Sequence, residues 1–211
     1  MKKFTEASIR KECPHCDPKS FALRHLLKET ENFWVVCDVH PLAEGHILII
    51  PKHHLSCVGE YGKELFQEFI KLYKEFSIFV EETYGSVNSF EHGKIGQTVF
   101  HSHVHLLPFS GKAIGIVPEG IDKLRKINSI SKLIEIFNND GQYLFFSTKE
   151  GKWIVDSSIG APRFFRDRYA KCLEKQERGS WKEMHNNKQI MKKAENEIYN
   201  LENHWKNYNS K

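Results

Sequence analysis

The chain has 211 residues, of which 40% are hydrophobic and 12% aromatic, a composition that predicts a packed core and argues against extensive disorder. The longest aliphatic run, residues 47–50, is too short to cross a bilayer, and no apolar stretch follows the basic N-terminus. We therefore expect neither export nor a membrane partner.

The formal net charge of +4 is unevenly distributed along the chain. Residues 1–110 carry 12 basic against 14 acidic side chains, and residues 111–211 carry 19 against 13. A basic second half favours an anionic ligand or nucleic acid, although a solvated lysine-rich surface is the commoner explanation. The five cysteines are an odd number with one close pair, so we expect a reducing, cytoplasmic compartment rather than a disulfide framework.

The first half of the chain predicts a sheet with one long helix. Residues 33–51 contain two β-rich apolar runs, FWVVCDV and HILIIP, which predict a hairpin. Residues 62–83 place apolar side chains at three- and four-residue intervals, as in an amphipathic helix that packs on a sheet. Two more β-rich segments, VNSFEHGK and IGQTVFHSHVHLLPF, follow, and Pro108 ends the second. This order predicts an α+β protein with a mainly antiparallel sheet flanked by helices.

A segment containing glycine and serine, residues 108–118, marks a predicted boundary between 1–110 and 111–211. Beyond it we predict a helix over 121–138, a small hairpin from QYLFFST and KWIVDSS, and charged helices over 163–176 and 182–207. In the segment RFFRDR, residues 163–168, helical spacing favours aromatic side chains in the core and arginines in solvent. Alternatively, these arginines bind phosphates or a base.

Three histidines alternate with other residues in the segment HSHVH, residues 101–105. Successive side chains on a strand project to opposite faces, so we expect the three imidazoles on one side. Neighbouring imidazoles lower one another's pKa, which predicts that at least one is neutral and nucleophilic. The spacing alone leaves a metal site, catalysis and chance open. Gln97 and Thr98 lie just upstream, where amide and hydroxyl donors could hold phosphate oxygens.

Two segments together resemble the histidine-triad family. GQTVFHSHVH at 96–105, with apolar residues and a proline after it, follows the pattern G-Q-x-V-x-H-x-H-x-H, and GHILIIPKHH at 45–54 precedes it in the family's order. The match covers roughly residues 13–108. The chain departs from the common pattern in the segment FEHG at 90–93 and in the long remainder after the triplet.

The resemblance implies a histidine-triad domain over 1–110 and an enzyme that hydrolyses or transfers at the α-phosphate of a purine nucleotide conjugate, such as a phosphoramidate or a dinucleoside polyphosphate. By this resemblance His103 is the nucleophile and forms a nucleotidyl-histidine, while His105 stabilises the phosphoryl oxygens. Gln97 and Thr98 would contact the phosphate or the leaving-group bridge. Asp38 would bind the ribose hydroxyls, although without the resemblance we would favour turn formation for this residue.

Cys13 and Cys16 have a two-residue gap that lets both thiolates reach one metal ion. The spacing leaves metal, a redox pair and coincidence open, and no preceding strand supports the redox interpretation. Family members with this pair are similar in completing a tetrahedral site with two histidines. The resemblance therefore implies a structural zinc ion ligated by Cys13, Cys16, His54 and His101. His15 and His53 are adjacent alternatives.

The role of the predicted C-terminal extension, 111–211, stays open. The resemblance implies a homodimer, because small members of the family often form one, but the extension could cover that interface. One alternative function is aprataxin-like deadenylation of nucleic-acid ends, with nucleic acid as a partner that we do not favour. Another is a non-enzymatic nucleotide-binding module, against which the complete triplet segment argues. Whether Asn88 or His92 assists catalysis also stays open, and we expect His92 to be solvated.

Overall fold

The computed structural model describes residues 12–210, so the outermost parts of both predicted domains, residues 1–11 and 211, lie outside the described residues. Its elements form an α+β fold, which confirms the predicted class. The strands are β1 (Leu26–Glu29), β2 (Phe33–Cys37), β3 (Ile47–Pro51), β4 (Asn88–Glu91), β5 (Val104–Leu107), β6 (Leu124–Ile127), β7 (Phe145–Thr148) and β8 (Gly151–Val155). The helices are α1 (Lys63–Tyr84), α2 (Ala113–Ile116), α3 (Lys132–Asp140), α4 (Phe164–Cys172), α5 (Trp181–Asn186) and α6 (Lys188–Asn209).

The eight described strands form one sheet in the order β1-β2-β3-β5-β4-β7-β8-β6, with antiparallel pairing throughout. The three strands that follow residue 110 extend this sheet, because β7 pairs with β4 through the partners Ser89 and Ser147. The edge strands of the described sheet are β1 and β6. The division at residue 110 and the homodimer stay predictions.

One face of the sheet is covered by α1 and α6. The predicted periodicity of α1 is present, with buried apolar residues along one side, and Gly85 ends the helix in the left-handed conformation. The C-terminal helix packs on α1, since the Trp205 ring stacks on Phe76 with 4.4 Å between centroids. All residues of β2 and β3 are buried, and on their other face Trp34, Val36, Leu48 and Ile50 form a separate apolar cluster with Leu23.

The opposite side of the central strands carries α4. The aromatic rings of Phe165 and Tyr169 pack against Phe90 of β4, with centroids 5.3 and 5.1 Å apart. Phe165 also contacts Phe146 of β7. The two phenylalanines of the RFFRDR segment are therefore core residues, as expected. The packing of this helix brings Arg166 to the interior, where it is only 6% exposed.

Three predicted elements differ from the structure. The predicted helix 121–138 is wrong over its first part, because Leu124–Ile127 forms β6, which pairs with β8, and the helix begins only at Lys132. The predicted helix 182–207 is interrupted at Asn187, whose side chain accepts hydrogen bonds from the first amides of α6. The predicted strand through the histidines begins only at Val104. Among the described helices, none combines the length and apolar character needed to cross a membrane.

Candidate active site

The histidine triplet straddles the start of β5. Only His105 lies within the strand, so the prediction that all three histidines share one strand is wrong. The segment before Val104 is irregular, because the amide of His101 bonds to the nearby Val99 carbonyl and the next amide, that of Ser102, bonds to the carbonyl of Leu55. The rings of His103 and His105 nevertheless lie side by side, with centroids 5.0 Å apart.

A cavity of about 310 Å³ opens beside these two rings. Its size is at the lower end of small-molecule sites. Four of the sequence-predicted residues line it: Asp38, Thr98, His103 and His105. The C-terminal extension contributes further lining residues: Arg166, Trp181 and His185. Trp181 and His185 were not predicted as site residues, and for Arg166 a role in binding phosphates or a base was only an alternative to a position in solvent.

The hydrogen bonds of His103 define its free nitrogen. Its Nδ1 lies 2.6 Å from the carbonyl oxygen of His101, and a carbonyl only accepts, so Nδ1 carries the proton and donates. In the neutral ring the lone pair is then on Nε2. Burial lowers the pKa of His103, against the opposing effect of the bond to His101, which favours this neutral form.

His105 is oriented by a relay that starts at a backbone amide. The Leu42 amide donates to Nδ1 of His46 at 3.1 Å, so the proton of His46 is on Nε2 and is donated to Nδ1 of His105 at 2.9 Å. The remaining proton of His105 is consequently on Nε2. This atom is buried and has no partner among the described residues. The ring also stacks on Phe90 with a centroid distance of 4.0 Å.

Asp38 follows β2 and is held by the extension. Its Oδ2 accepts a hydrogen bond from Nη1 of Arg166 at 2.9 Å, and its Oδ1 accepts one from the amide of His40. Burial alone would raise the pKa of Asp38, but the neighbouring His46 and Arg166 outweigh it and lower the pKa. The carboxylate is therefore charged and lies at the cavity wall. The expectation that the arginines of the RFFRDR segment face solvent is wrong for Arg166.

Gln97 and Thr98 have different surroundings. The Gln97 side chain is buried and donates to the carbonyl of Ser56 at 2.7 Å, and it is not among the cavity-lining residues. Its Oε1 has no partner among residues 12–210. Thr98 lines the cavity, and its hydroxyl accepts a hydrogen bond from the indole of Trp181 at 3.3 Å.

Asn88 and His92 pack against the extension. Their contribution to catalysis stayed open after sequence analysis. Asn88 is buried and contacts the hydroxyl of Tyr169. His92 is 5% exposed, so the expectation that it is solvated is wrong. Its Nε2 accepts a hydrogen bond from the amide of Phe165. Neither side chain lines the cavity.

The four predicted metal ligands lie together next to the cavity. The ligand atoms of Cys13, Cys16, His54 and His101 are all within 4.8 Å of one another. Nδ1 of His101 is 3.4 Å from both sulfur atoms, and Nδ1 of His54 is 3.3 Å from one of them. A tetrahedral zinc ion separates its ligand atoms by about 3.4 to 3.8 Å, so this group fits zinc.

The orientation of His101 supports the same fit. Its Nε2 donates to the carbonyl of Pro51 at 2.7 Å, which leaves the lone pair on Nδ1 facing the two sulfur atoms. The neighbouring His15, which sequence analysis left as an alternative ligand, is not part of the group. Its ring instead packs against His103, with centroids 5.0 Å apart, and lines the cavity.

A buried carboxyl group lies behind the triplet. Glu91 accepts hydrogen bonds from the amide of Val58 at 3.0 Å and from the hydroxyl of Ser102 at 2.9 Å, and its other oxygen contacts the hydroxyl of Tyr143. Burial raises the pKa of Glu91 to about 7. Because Ser102 lies between two of the histidines, this group fixes the segment that carries them. The FEHG segment contained the residue, but no sequence pattern indicated its partners.

These observations define an α+β protein with two adjacent histidines at the wall of one cavity and a Cys2His2 group beside it. A family model described as the HIT domain, the histidine-triad domain, matches residues 22–111. An adenosine 5′-monophosphoramidase of Saccharomyces cerevisiae is 31% identical over 110 residues, which cover 48% of this chain and 68% of that protein. The chain belongs to the HIT family.

Two further matches come from Bacillus subtilis. The protein named hit is 30% identical over 91 residues, and the match covers 41% of this chain and 63% of that protein, which is less than two thirds of its length. A crystal structure of a HIT-family member is 26% identical with a TM-score of 0.43, and it covers 48% of this chain and 76% of that one. These matches cover about half of the present chain or less.

Proposed function

We propose that this protein hydrolyses or transfers at the α-phosphate of a purine nucleotide conjugate, through a nucleotidyl-histidine on His103. The observation that carries the proposal is the pairing of a free lone pair on Nε2 of His103 with an N–H group on Nε2 of His105 at one cavity. The first atom can attack phosphorus, and the second can donate to a phosphoryl oxygen. Binding alone would require no such nucleophile.

The proposed reaction has two balanced steps. The Nε2 lone pair of His103 attacks the α-phosphorus, the new P–N bond forms, and the leaving group departs with the bonding electrons and gains a proton from solvent. Water then attacks the same phosphorus, the P–N bond breaks and returns the lone pair to Nε2, and a proton is released. Throughout, His105 donates to an oxygen on which negative charge accumulates, which lowers both barriers.

The remaining predicted site residues position the nucleotide. In the proposal, the Asp38 carboxylate accepts hydrogen bonds from the ribose hydroxyls, and Arg166 keeps it charged and fixed. Thr98 lines the cavity and contacts the phosphate or the leaving-group bridge. Gln97 supports the same segment through its bond to the Ser56 carbonyl, with Oε1 as its remaining acceptor.

Zinc has a structural role in this proposal. Cys13, Cys16, His54 and His101 would hold it, and the bound ion would link the N-terminal segment to the sheet. All four coordination positions are then filled by protein, so the reaction needs no step at the metal. The carbonyl of His101 meanwhile orients His103.

The name of the yeast relative, an adenosine 5′-monophosphoramidase, supports the proposed bond type. The test is to incubate the protein with a labelled adenosine 5′-phosphoramidate and labelled diadenosine polyphosphates and to trap an acid-labile adduct. His103→Ala should abolish the adduct and lower kcat/KM at least about 1000-fold. His204→Ala is the matched control, because its ring is half exposed and lies outside the cavity lining, and it should retain activity. Absence of an adduct with every nucleotide would refute the proposal.

A further inference from the structure

The cavity has a wall that belongs to the C-terminal extension. Trp181 and His185 are four residues apart on α5, so they lie on the same side of the helix, and both line the cavity. Met184 faces the interior and is fully buried, which anchors the helix. The indole N–H of Trp181 donates to Thr98, so this wall is joined directly to the segment that leads into the histidines.

Arg166 fixes the position of this wall relative to the rest of the cavity. Its guanidinium donates to Asp38 and to the carbonyl of His40 on one side, at 2.9 and 2.7 Å. On the other side it donates to the carbonyls of Arg178 and Gly179, just before α5. One buried side chain therefore connects the predicted ribose-binding acid to the helix that closes the cavity.

The residues opposite α5 are also aromatic. The ring of His40 is 5.8 Å from that of Trp181 and 5.3 Å from that of His185, and the ring of Phe21 is 5.5 Å from that of His185. Phe21 is 39% exposed and lines the cavity. These four rings, which we call the aromatic cleft, line the same cavity as His103.

We propose that the aromatic cleft binds the base of the nucleotide, so that α5 of the extension is a specificity-determining part of the site. Planar bases stack on aromatic side chains, and the apolar neighbours of the cleft, Ala22, Val39 and Leu48, favour a flat ring over a charged group. The inference rests on the proposed function and goes further by adding Trp181 and His185, which lie outside the family match, to the part of the site that holds the base. Its ligand class is the nucleoside 5′-monophosphate portion of the substrate.

Stacking tolerates different bases, because every base has a π-face. The aromatic cleft therefore selects for the presence of a base and, through contact area, for purines over pyrimidines. We expect AMP and GMP to bind with similar affinity and UMP more weakly. Ribose 5-phosphate, which has no base, gains nothing from the cleft.

The experiment measures equilibrium binding of AMP and ribose 5-phosphate by calorimetry, with the full-length protein. Trp181→Ala should weaken AMP binding about 5- to 150-fold, the range for loss of one aromatic stacking partner. It should leave ribose 5-phosphate binding unchanged. Trp181→Phe keeps a stacking ring and should retain AMP binding within about threefold. Tyr199→Ala is the control, because it removes a ring from the extension that is 64% exposed and outside the cavity lining.

Several results would overturn the inference. Equal losses of AMP and ribose 5-phosphate binding in Trp181→Ala would indicate general damage, and circular dichroism would report it. Unchanged AMP binding in this variant, or no AMP binding by the wild type, would exclude a base in the aromatic cleft. The same titrations in His103→Ala separate the proposed chemistry from the aromatic cleft, because this variant cannot form the adduct but keeps all four rings of the cleft. AMP binding that depends on Trp181, without any covalent adduct in the wild type, would refute the proposed chemistry and support the cleft.

Discussion

The buried carboxyl group of Glu91 makes the stability of the fold depend on pH in a way that a single substitution should remove. Its two oxygens face the amide of Val58 and the hydroxyls of Ser102 and Tyr143. The other titratable groups that face it are Cys57, Glu60 and, through Ser102, Tyr61. None of these supplies a positive charge, so burial disfavours the carboxylate.

The size of the effect follows from the pKa. Burial raises the pKa of Glu91 from 4.5 to about 7. Each pKa unit corresponds to about 1.4 kcal/mol, so ionisation of this group costs the folded state about 3 kcal/mol. Between these two pKa values the folded state binds more protons than the unfolded state. The contribution of Glu91 to the free energy of unfolding therefore falls as pH rises through this window, and the full cost is present above it.

Glu91→Gln is the informative substitution, because the amide resembles the neutral carboxyl group. Its oxygen can accept from Val58 and Ser102, and its NH2 group can donate to Tyr143, which also accepts from the amide of Gly59. We expect the variant and the wild type to have similar stability near about pH 4.5. Above about pH 7 the variant should be more stable by about 3 kcal/mol.

The assay is urea unfolding across this pH range, analysed as a two-state transition. Buried histidines act in the opposite direction: burial lowers the pKa of His46 to about 4 and that of His92 to about 3, so their contribution to stability is lost as pH falls below about 6.5. They are present in both proteins, and the difference between variant and wild type isolates Glu91. A difference that is constant with pH would refute the argument.

Three further predictions concern the metal group, the buried arginine and one glycine. Cys16→Ser should abolish stoichiometric zinc, measured by emission spectrometry, and should lower the Tm, measured by calorimetry. Cys172→Ser lies outside the group and should retain one zinc per chain. Arg166→Ala leaves Asp38 buried without its ion pair and should cost about 3 to 5 kcal/mol in urea unfolding, against less than about 1 kcal/mol for the exposed Lys132→Ala. Gly96→Ala, with φ +70° and its new Cβ 2.0 Å from the Ala161 carbonyl oxygen, should destabilise the fold by more than Gly85→Ala, which has φ +80° and no neighbour within 4 Å. Equal effects within any of these pairs would contradict the reasoning behind it.

Elements with local patterns were predictable from the sequence. The helix predicted over 62–83 is α1 (Lys63–Tyr84), because its apolar spacing matches one buried side. The hairpin predicted around residues 149–151 is formed by β7 and β8. In contrast, β6 was predicted as a helix. Its buried Ile127 and half-buried Leu124 are three residues apart, which also suits a helix, and its partner β8 comes more than twenty residues later.

The inward position of Arg166 and the cavity-lining position of Trp181 could not be derived from the sequence, for a related reason. Arg166 lies in a helix whose N-terminal turn is buried on several sides, including Phe164 and Phe165, so no apolar stripe distinguishes an inward arginine from an outward one. The partner that stabilises it, Asp38, is 128 residues away. Trp181 similarly meets Thr98 only through the packing of the extension on the sheet. Spacing along the chain carries no information about such contacts.

The three histidines of the triplet do not share one strand, yet the rings of His103 and His105 lie close together. Alternation on a strand was the reason to expect three rings on one side, yet His101 and His103 precede β5. The rings are instead placed by separate hydrogen bonds: His101 by the Pro51 carbonyl, His103 by the carbonyl of His101, and His105 by His46. His101 thus directs Nδ1 at the two cysteines while its carbonyl orients the neighbouring ring. Displacement of His101 would therefore disturb both the metal group and the orientation of His103. We expect zinc binding and the proposed nucleophile to be lost together when the segment that carries Cys13 and Cys16 is detached from the sheet.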